Sequence, residues 1–402
     1  MLRRVALGVS GGVDSAVSAL ILKKQGFEVI GVFMRNWDTV NEKGICQPDI
    51  DLQDAEFVCK KLNIPLHEVN FVKEYWNQVF SEMLFEYENG RTPNPDILCN
   101  KYLKFNMFLK YALEKLNCDA IATGHYARTD VGFDLHLVDK KKGHLRGKLK
   151  TNDGVKLLTA EDVLKDQTFF LSQIKQSALQ KTIFPVGEIN KTFVRKMAVA
   201  AGLEHIVQKK ESMGICFIGS RNFQSFIEEY IEQKKGNFID IVTGKIVGEH
   251  KGWYSFHYWT IGQRACIGGI DKRYFVADFK ISTNDILVAP GTKHPSLFYQ
   301  TIFTEQPHWI RAPPVHLYKD QMFDCDFRYQ HSHPVIKCTC TLTGGNGLIV
   351  SLERPMRALC VGQFAVFYDK EECLGSARII RRGPSLFTLN YKDYMDLPHE
   401  FT

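Results

Sequence analysis

The sequence predicts a mixed α/β protein with a first domain built on a parallel sheet, a small β-rich central domain and a C-terminal antiparallel β-barrel. Two observations lead to this prediction. In the first half of the 402-residue chain, apolar runs typical of strands alternate with segments of helical apolar spacing, the pattern of a parallel sheet covered by helices. From Gly236 onward, short alternating runs are separated by glycine-rich turns, which is typical of antiparallel structure. Because a break falls at Pro290 and Gly291, we expect domains over residues 1–208, 209–290 and 291–402.

The first domain opens with an apolar run, residues 5–9, that leads through Ser10-Gly11-Gly12-Val13-Asp14-Ser15 into a helix ending at Gly26. Adjacent glycines let backbone N–H groups approach an anion closely, and a helix N-terminus favours phosphate. The motif lacks the Gly-Lys-Ser/Thr of a Walker A loop and is not the Gly-x-Gly-x-x-Gly dinucleotide fingerprint. It predicts a nucleotide-phosphate site, and it resembles the PP-loop of ATP pyrophosphatases, which cleave ATP between its α- and β-phosphates.

The rest of the first domain continues the alternation of strands and helices. Two prolines, Pro93 and Pro95, predict that residues 90–100 form a loop of fixed shape and not a helix. Further strands are predicted over residues 28–34, 66–72 and 119–125, and helices over residues 51–63, 74–87, 104–116 and 192–201.

Ligands of parallel sheets bind at the carboxyl ends of the strands. The residues that fall at such ends are Ser10, Met34, Gly124 and His125.

The last third of the chain carries hairpin patterns. A Gly-Gly-Asn-Gly turn joins runs at residues 337–343 and 348–352, and two further runs follow, so we expect a small antiparallel barrel. Cys338 and Cys340 fall on one strand and point to the same face, where we interpret them as packing residues.

Composition narrows the classes of function. The chain has 51 basic and 45 acidic residues, and this net charge of +6 permits an acidic partner without requiring one. No uninterrupted apolar run approaches the roughly 18 residues that span a bilayer, so we expect no membrane partner. Eleven scattered cysteines argue against a disulfide framework and favour a reducing compartment. The first strand begins almost at once, so a removable targeting peptide is either absent or already removed.

Two cysteines lie in segments shaped by proline or glycine. Cys99 follows Asp96 by three residues in the proline loop, and Cys216 lies between Gly214 and Gly219, after two lysines. The thiolate, and not the thiol, is the attacking species. A neighbouring acid or base can remove or return the thiol proton, and nearby positive charge lowers the pKa of a thiol. A lone cysteine is more often a small buried hydrophobe. Neither residue has a CxxC partner, which excludes a zinc ribbon.

One basic stretch of the sequence has two interpretations. Residues 140–150 carry six basic residues and no acidic one. Such a stretch is either a solvated insertion or a contact to nucleic acid.

Seven blocks of the chain, in order, resemble the tRNA-specific 2-thiouridylase family. The resemblance extends over residues 5–389 and is greatest to the mitochondrial, eukaryotic branch, so it implies a mitochondrial location. One departure is the stretch at residues 252–259, which is longer than the family spacing. The blocks are residues 10–15 (SGGVDS), 31–37 (GVFMRNW), 90–101 (GRTPNPDILCNK), 122–128 (ATGHYAR), 165–173 (KDQTFFLSQ), 214–219 (GICFIG) and 260–264 (TIGQR).

The resemblance implies a Rossmann-like PP-loop ATP pyrophosphatase domain and a defined reaction. The O2 atom of the wobble uridine, in the anticodon stem-loop of a tRNA, attacks the α-phosphate of ATP, leaving adenylated uracil and pyrophosphate. Cys216, as a persulfide, supplies sulfur to C2, and Cys99 completes the release through a disulfide with Cys216 or by freeing hydrogen sulfide. Asp96 matches the acid/base residue. The products are 2-thiouridine, AMP and pyrophosphate, and the sulfur comes from a persulfide-donating sulfurtransferase or desulfurase system.

The resemblance also implies binding roles. Magnesium is expected with ATP and not on protein ligands. The residues that match the ATP site are Gly8, Val9, Ser10, Gly11, Gly12, Val13, Asp14, Ser15, Met34 and Gly124. Those that match target-base contacts are Asn94, Pro95 and Asp96, and those that match tRNA contacts are His125, Lys165, Asp166, Gln167, Arg328, Tyr329 and Gln363.

Three alternatives remain from the residues alone. A PP-loop ligase would adenylate a small metabolite for amidation, but it would not need Cys99 and Cys216 in loops. A non-catalytic RNA-binding protein would not need an intact glycine motif. An iron–sulfur cluster on loop cysteines is a further way to carry sulfur.

Overall fold

The computed structural model describes residues 4–38, 47–135, 154–209, 226–227, 229–231, 234–250 and 259–390. Its secondary structure confirms the predicted class, with a parallel sheet and helices first and two antiparallel-rich sheets after them. Across these residues we find no helix that is both long and apolar enough to span a membrane.

The first sheet is parallel, as predicted, with the strand order β3-β2-β1-β4-β7. The central strand is apolar after Arg4, and Val5, Ala6 and Leu7 are fully buried, because helices cover both faces. Parallel pairing brings the carboxyl ends of the strands to one edge, which is where the candidate site lies. The strands of the first half are β1 (Arg4–Gly8), β2 (Glu28–Arg35), β3 (Leu66–Asn70), β4 (Ala120–Ala122), β5 (Arg128–Thr129), β6 (Leu157–Leu158) and β7 (Thr182–Ile183).

The helices of this half follow the predicted positions with one correction. The stretch predicted as a proline loop contains a helix, Pro95–Cys99. A proline needs no N–H at the first helical position, and the Asn94 side chain accepts a hydrogen bond from the Ile97 N–H at 3.2 Å, which caps the helix. The helices are α1 (Val13–Lys24), α2 (Gln47–Lys61), α3 (Val72–Tyr75), α4 (Ser81–Glu88), α5 (Pro95–Cys99), α6 (Leu109–Glu114), α7 (Thr168–Leu171), α8 (Gln176–Leu179), α9 (Lys191–Ala200) and α10 (Glu204–Gln208), with π-helical segments at Trp76–Phe80 and Asn100–Phe108.

A second, five-stranded sheet has the order β10-β11-β12-β8-β9. All its pairings are antiparallel except that of β12 with β8. Its strands are β8 (Gly236–Asp240), β9 (Ile246–His250), β10 (Arg264–Ala265), β11 (Tyr274–Lys280) and β12 (Asp285–Pro290).

The third sheet closes into a barrel, as predicted, because its first strand pairs with both the second and the last. The closed path is β13-β17-β16-β15-β18-β19, and β14 pairs with β19. Its strands are β13 (Phe298–Thr304), β14 (His308–Trp309), β15 (Met322–Arg328), β16 (Ile336–Leu342), β17 (Leu348–Arg357), β18 (Phe364–Asp369) and β19 (Glu372–Arg382), and the helices of this part are α11 (Val315–Lys319) and a short 3-10 turn at Pro295–Leu297.

Two strands of the first half extend the barrel sheet, which the sequence did not predict. β6 pairs with β19, with Leu157 opposite Cys373 and Leu158 opposite Glu372, and β5 pairs with β6. The hydrogen-bonded sheet therefore joins the first half of the chain to the barrel.

Candidate active site

The glycine loop connects β1 to α1 at the carboxyl edge of the first sheet. Gly11 has a φ of +70°, and a Cβ there would lie 2.5 Å from the Asp51 carbonyl oxygen, so only glycine fits. Ser15 Oγ donates to the Gly12 carbonyl at 2.9 Å and accepts from the Ser10 N–H at 3.2 Å, which fixes the loop. The first turn of α1 therefore presents its N-terminal N–H groups and its dipole at the sheet edge, as a phosphate site requires.

Two other glycines allow close approach around this loop. A Cβ on Gly124 would lie 2.8 Å from the Ser15 nitrogen, and one on Gly8 would lie 3.2 Å from Met34 Cε. The structure thus brings the ends of β1, β2 and β4 together at the loop. Every residue predicted for the ATP site lies in the glycine loop or at the end of one of these strands.

Asp14 is held by two residues that the sequence did not single out. Lys191 Nζ lies 2.8 Å from both carboxylate oxygens, and the Tyr126 hydroxyl donates to the carboxylate at 2.9 Å. Lys191 is 8% exposed and begins α9, far along the chain. The pairing neutralises Asp14, so its charge does not oppose a phosphate at the loop.

Cys99 and Asp96 share one turn of α5, where Cys99 is buried and Asp96 is partly buried. Residues three apart lie on one helix face. Burial raises the pKa of the Cys99 thiol to about 11, an effect that the nearby positive charge of Lys104 opposes. Burial also raises the pKa of Asp96, and Lys104 opposes that shift as well.

Lys104 is the functional candidate that the sequence reasoning missed. It follows Cys99 by five residues in the π-helical segment Asn100–Phe108, and π-helical hydrogen bonds join residues five apart. Its Nζ atom lies 3.4 Å from His125 Nε2, while His125 Nδ1 lies 2.8 Å from Thr123 Oγ1. Had the helix predicted from residue 104 been extended back to Pro95, Lys104 would have fallen beside Cys99.

His125 is neutral in this setting. Burial, and then the charge of Lys104, lower its pKa well below the usual value. With Lys104 as the donor to Nε2, the Nδ1 atom carries the proton and donates to Thr123. Asp96, Cys99 and His125, all predicted site residues, are therefore brought together around one ammonium group.

Cys216 and the basic stretch at residues 140–150 lie outside the described residues. The described residues on either side of Cys216 are fixed near the sheet edge. Lys209 pairs with Asp51 at 3.0 Å and with Asp54, on the helix that touches the glycine loop. Phe226 is 1% exposed and packs on Trp37, three residues beyond Met34, with ring centroids 6.0 Å apart.

Residues predicted to bind the target base meet the barrel. Asn94 Nδ2 donates to Gln363 Oε1 at 3.2 Å, and Gln363 Nε2 donates to the Pro93 carbonyl at 3.1 Å. The Thr92 N–H donates to the Val361 carbonyl at 2.8 Å. The segment that precedes Asp96 is therefore fixed by residues about 270 positions away.

Asp166, one of the residues predicted to contact tRNA, is 2% exposed and forms an ion pair with Arg328 Nη1 at 3.2 Å, across the contact between the first half and the barrel. It also accepts from Thr168 Oγ1 at 2.8 Å, and the His331 ring contacts its carbonyl oxygen.

Three more of the predicted tRNA contacts are described. Tyr329 is 2% exposed and donates to the Arg357 carbonyl at 2.8 Å. Gln167 Oε1 accepts from the Tyr126 N–H at 2.9 Å, and Lys165 is half-buried. Contact of these side chains with tRNA stays a prediction.

Comparison with known proteins places three family models along the chain. They are described as the tRNA methyl transferase HUP domain over residues 3–220, the tRNA methyl transferase PRC-barrel domain over residues 224–290 and the aminomethyltransferase beta-barrel domain over residues 299–379.

Curated proteins match nearly the whole chain. The mitochondrial tRNA-specific 2-thiouridylase 1 of Gallus gallus is 52% identical over 400 residues, covering 96% of this chain and 94% of that protein. The Homo sapiens protein of the same name is 50% identical, covering 96% and 93%. The tRNA-specific 2-thiouridylase MnmA of Mycoplasma capricolum is 40% identical, covering 94% and 99%.

Proposed function

This chain belongs to the tRNA-specific 2-thiouridylase family, and we propose that it is an ATP-dependent sulfurtransferase that replaces O2 of the tRNA wobble uridine with sulfur. The observation that carries the proposal is the meeting of Asp96, Cys99 and Lys104 beside a phosphate-type glycine loop at one edge of the sheet. Such a site can activate an oxygen and handle a thiol in the same place.

In the first step, ATP binds with its phosphates at the glycine loop, and uridine O2 attacks the α-phosphate. Pyrophosphate leaves, and magnesium, if bound with ATP, would neutralise its charge. The N–H groups at the start of α1 and the neutralised Asp14 support this step electrostatically. Adenylation turns the uracil oxygen into a leaving group, AMP.

In the second step, the outer sulfur of a Cys216 persulfide attacks C2, and AMP departs. A Cys99 thiolate then attacks Cys216 Sγ, so the sulfur–sulfur bond of the persulfide breaks and its electron pair stays on the new thiocarbonyl sulfur. The two cysteines are left as a disulfide, which an external thiol must reduce before the next turnover.

Cys99 is kept unreactive until this moment. With a pKa of about 11, only about one thiol in ten thousand is ionised at pH 7. Asp96 shares a helix turn with Cys99 and has a pKa raised by burial, so it is our candidate to take the proton, and Lys104 then stabilises the thiolate. This order limits loss of the thiol to oxidation in the absence of substrate.

The residues that flank Cys216 support its access to the site. Lys209 is paired to α2 beside Gly11, and Phe226 packs beyond the end of β2. Both attachments lie on the edge of the sheet that carries Cys99.

We propose the same division of the chain that the sequence predicts, into residues 1–208, 209–290 and 291–402, with the barrel helping to hold the tRNA. The persulfide donor is a separate sulfurtransferase or desulfurase. A mitochondrial location follows by resemblance, since close relatives carry that name.

The test is mass spectrometry of wobble uridines after reaction of unmodified tRNA with ATP, magnesium and a persulfide donor. The expected result is a gain of one sulfur for one oxygen, abolished in Cys216→Ser and retained in Cys59→Ala, which changes a buried cysteine of α2 that has no role in the proposed reaction. An unchanged uridine mass with folded, reduced enzyme would overturn the proposal. Pyrophosphate release that ignores tRNA and needs an amine-accepting metabolite would favour the ligase instead.

A further inference from the structure

Three cysteines meet inside the barrel, away from the candidate active site. Cys325 on β15 lies directly opposite Cys338 on β16, and Cys340 follows two residues along β16 on the same face. All three are buried. The Sγ–Sγ distances are 3.5 Å between Cys325 and Cys338, 3.8 Å between Cys325 and Cys340, and 4.0 Å between Cys338 and Cys340. The sequence predicts that Cys338 and Cys340 share one face of a strand, but it does not predict that Cys325 joins them.

These sulfurs form a nearly equilateral triangle of the size that a metal ion needs. The point equidistant from the three lies about 2.2 Å from each, close to the metal–thiolate distance of about 2.3 Å. A triangle of this size requires no backbone movement to accept an ion at its centre. A disulfide between any two would require the sulfurs to approach to about 2.05 Å.

The surroundings favour three-coordination by sulfur alone. Within the described parts of the chain, no histidine or carboxylate joins the three cysteines as a fourth ligand. The strand neighbours are apolar, with Leu352 opposite Cys338 and Val350 opposite Cys340. Structural zinc is almost always four-coordinate, whereas thiolates select soft ions such as Cu(I).

Binding of a cation to this cluster releases protons. An entering ion replaces the S–H protons of the three thiols, which pass to solvent, with no change of oxidation state.

We propose that Cys325, Cys338 and Cys340 form a site for one soft, thiophilic cation of the Cu(I) type, bound by three sulfurs. Such an ion links β15 to β16 inside the barrel. Since Arg328 ends β15 three residues after Cys325, the ion also stabilises the strand that pairs with Asp166 of the first half.

The test uses the full-length protein, reduced and handled without oxygen, with Cu(I) supplied in competition with a colorimetric Cu(I) chelator. Native mass spectrometry counts the bound ions, and X-ray absorption counts the sulfurs around them. All measurements are made in a Cys99→Ser, Cys216→Ser background, so that the active-site thiols do not contribute. We expect one ion per chain, three sulfurs at about 2.3 Å, and a higher unfolding temperature with Cu(I) than without.

Cys338→Ser and, separately, Cys340→Ala are expected to weaken Cu(I) binding at least tenfold, while the matched variant Cys59→Ala keeps it. If Cys338→Ser does not fold, Cys340→Ala carries the comparison, and circular dichroism confirms its fold. Binding that is equal in all three variants would overturn the proposal, and so would coordination by two sulfurs. A mass lower by two hydrogens, without metal, would show that the cluster forms a disulfide instead.

Discussion

The Lys104 ammonium lies 3.4 Å from His125 Nε2, and its charge acts on the pKa of Asp96, Cys99 and His125 together. One cation thus links the end of β4 to the segment that carries the reactive thiol. Its removal should alter all three groups in a predictable direction.

Lys104→Met is expected to raise the pKa of Cys99 further, because burial then acts without an opposing charge. Alkylation of Cys99 at pH 8.5 should slow by roughly three- to tenfold, and tRNA thiolation should fall by at least as much. The rate of iodoacetamide labelling, followed by peptide mass spectrometry, measures this. Lys110→Met, an exposed lysine of the next helix, is the control. Equal labelling rates in the two variants would contradict the role of Lys104.

Gly124→Ala is expected to weaken ATP binding, because the new methyl group would meet the Ser15 nitrogen at 2.8 Å and displace the glycine loop. The free energy of unfolding should fall by about 1–3 kcal/mol, as for overpacked positions. Calorimetric titration with ATP and urea denaturation measure the two effects. Gly268→Ala, where no atom lies within 4 Å of the added Cβ, should change neither. Normal ATP affinity in Gly124→Ala would argue against the close packing described here.

Arg328→Met is expected to destabilise the protein by about 3–5 kcal/mol, because it leaves the Asp166 carboxylate buried and unpaired. Adding Asp166→Asn should recover part of that loss, since the uncompensated charge is then gone. Urea denaturation of the single and double variants gives the interaction free energy between Arg328 and Asp166. The exposed pair of His316 and Asp320 provides a contrast, and His316→Ala should leave the unfolding midpoint unchanged. A double variant no more stable than Arg328→Met would rule out the charge explanation.

Stability should fall as the pH drops from 7.5 to 5.5. The pKa of His125 is lowered in the folded state, so the unfolded chain binds a proton near pH 6.5 that the folded chain does not. The contribution of the neutral ring is therefore present above pH 6.5 and is lost below it, by at most about 1.4 kcal/mol at pH 5.5. His125→Asn should flatten this part of the curve, while His316→Ala should not. An identical pH dependence in both variants would contradict the assignment.

The sequence predicted most of what local patterns determine. Alternating apolar runs predict the parallel sheet, and the strand-end rule predicts that Ser10, Met34 and Gly124 lie at one edge, as they do. The helix that begins at Pro95 is not predicted from the sequence, because two close prolines normally break a helix, although a proline at the first helical position costs nothing.

Local sequence patterns do not predict contacts between segments that are far apart in the chain. Lys191 meets Asp14 across 177 positions, and Cys325 joins Cys338 only through strand register. β5 and β6 have two residues each, too short for any periodicity, and β6 pairs with β19 more than 200 positions away. Such pairings depend on the folded topology and on side-chain packing, which a linear pattern does not contain.

The pairing of β6 with β19 has a further consequence for recognition. Because the backbone of the first half is hydrogen-bonded into the barrel sheet, the Asn94–Gln363 bridge and the Asp166–Arg328 pair belong to one continuous hydrogen-bonded frame. A preorganised frame spends little conformational entropy on association. We therefore expect the conformational cost of binding a nucleic acid to fall mainly on the nucleic acid.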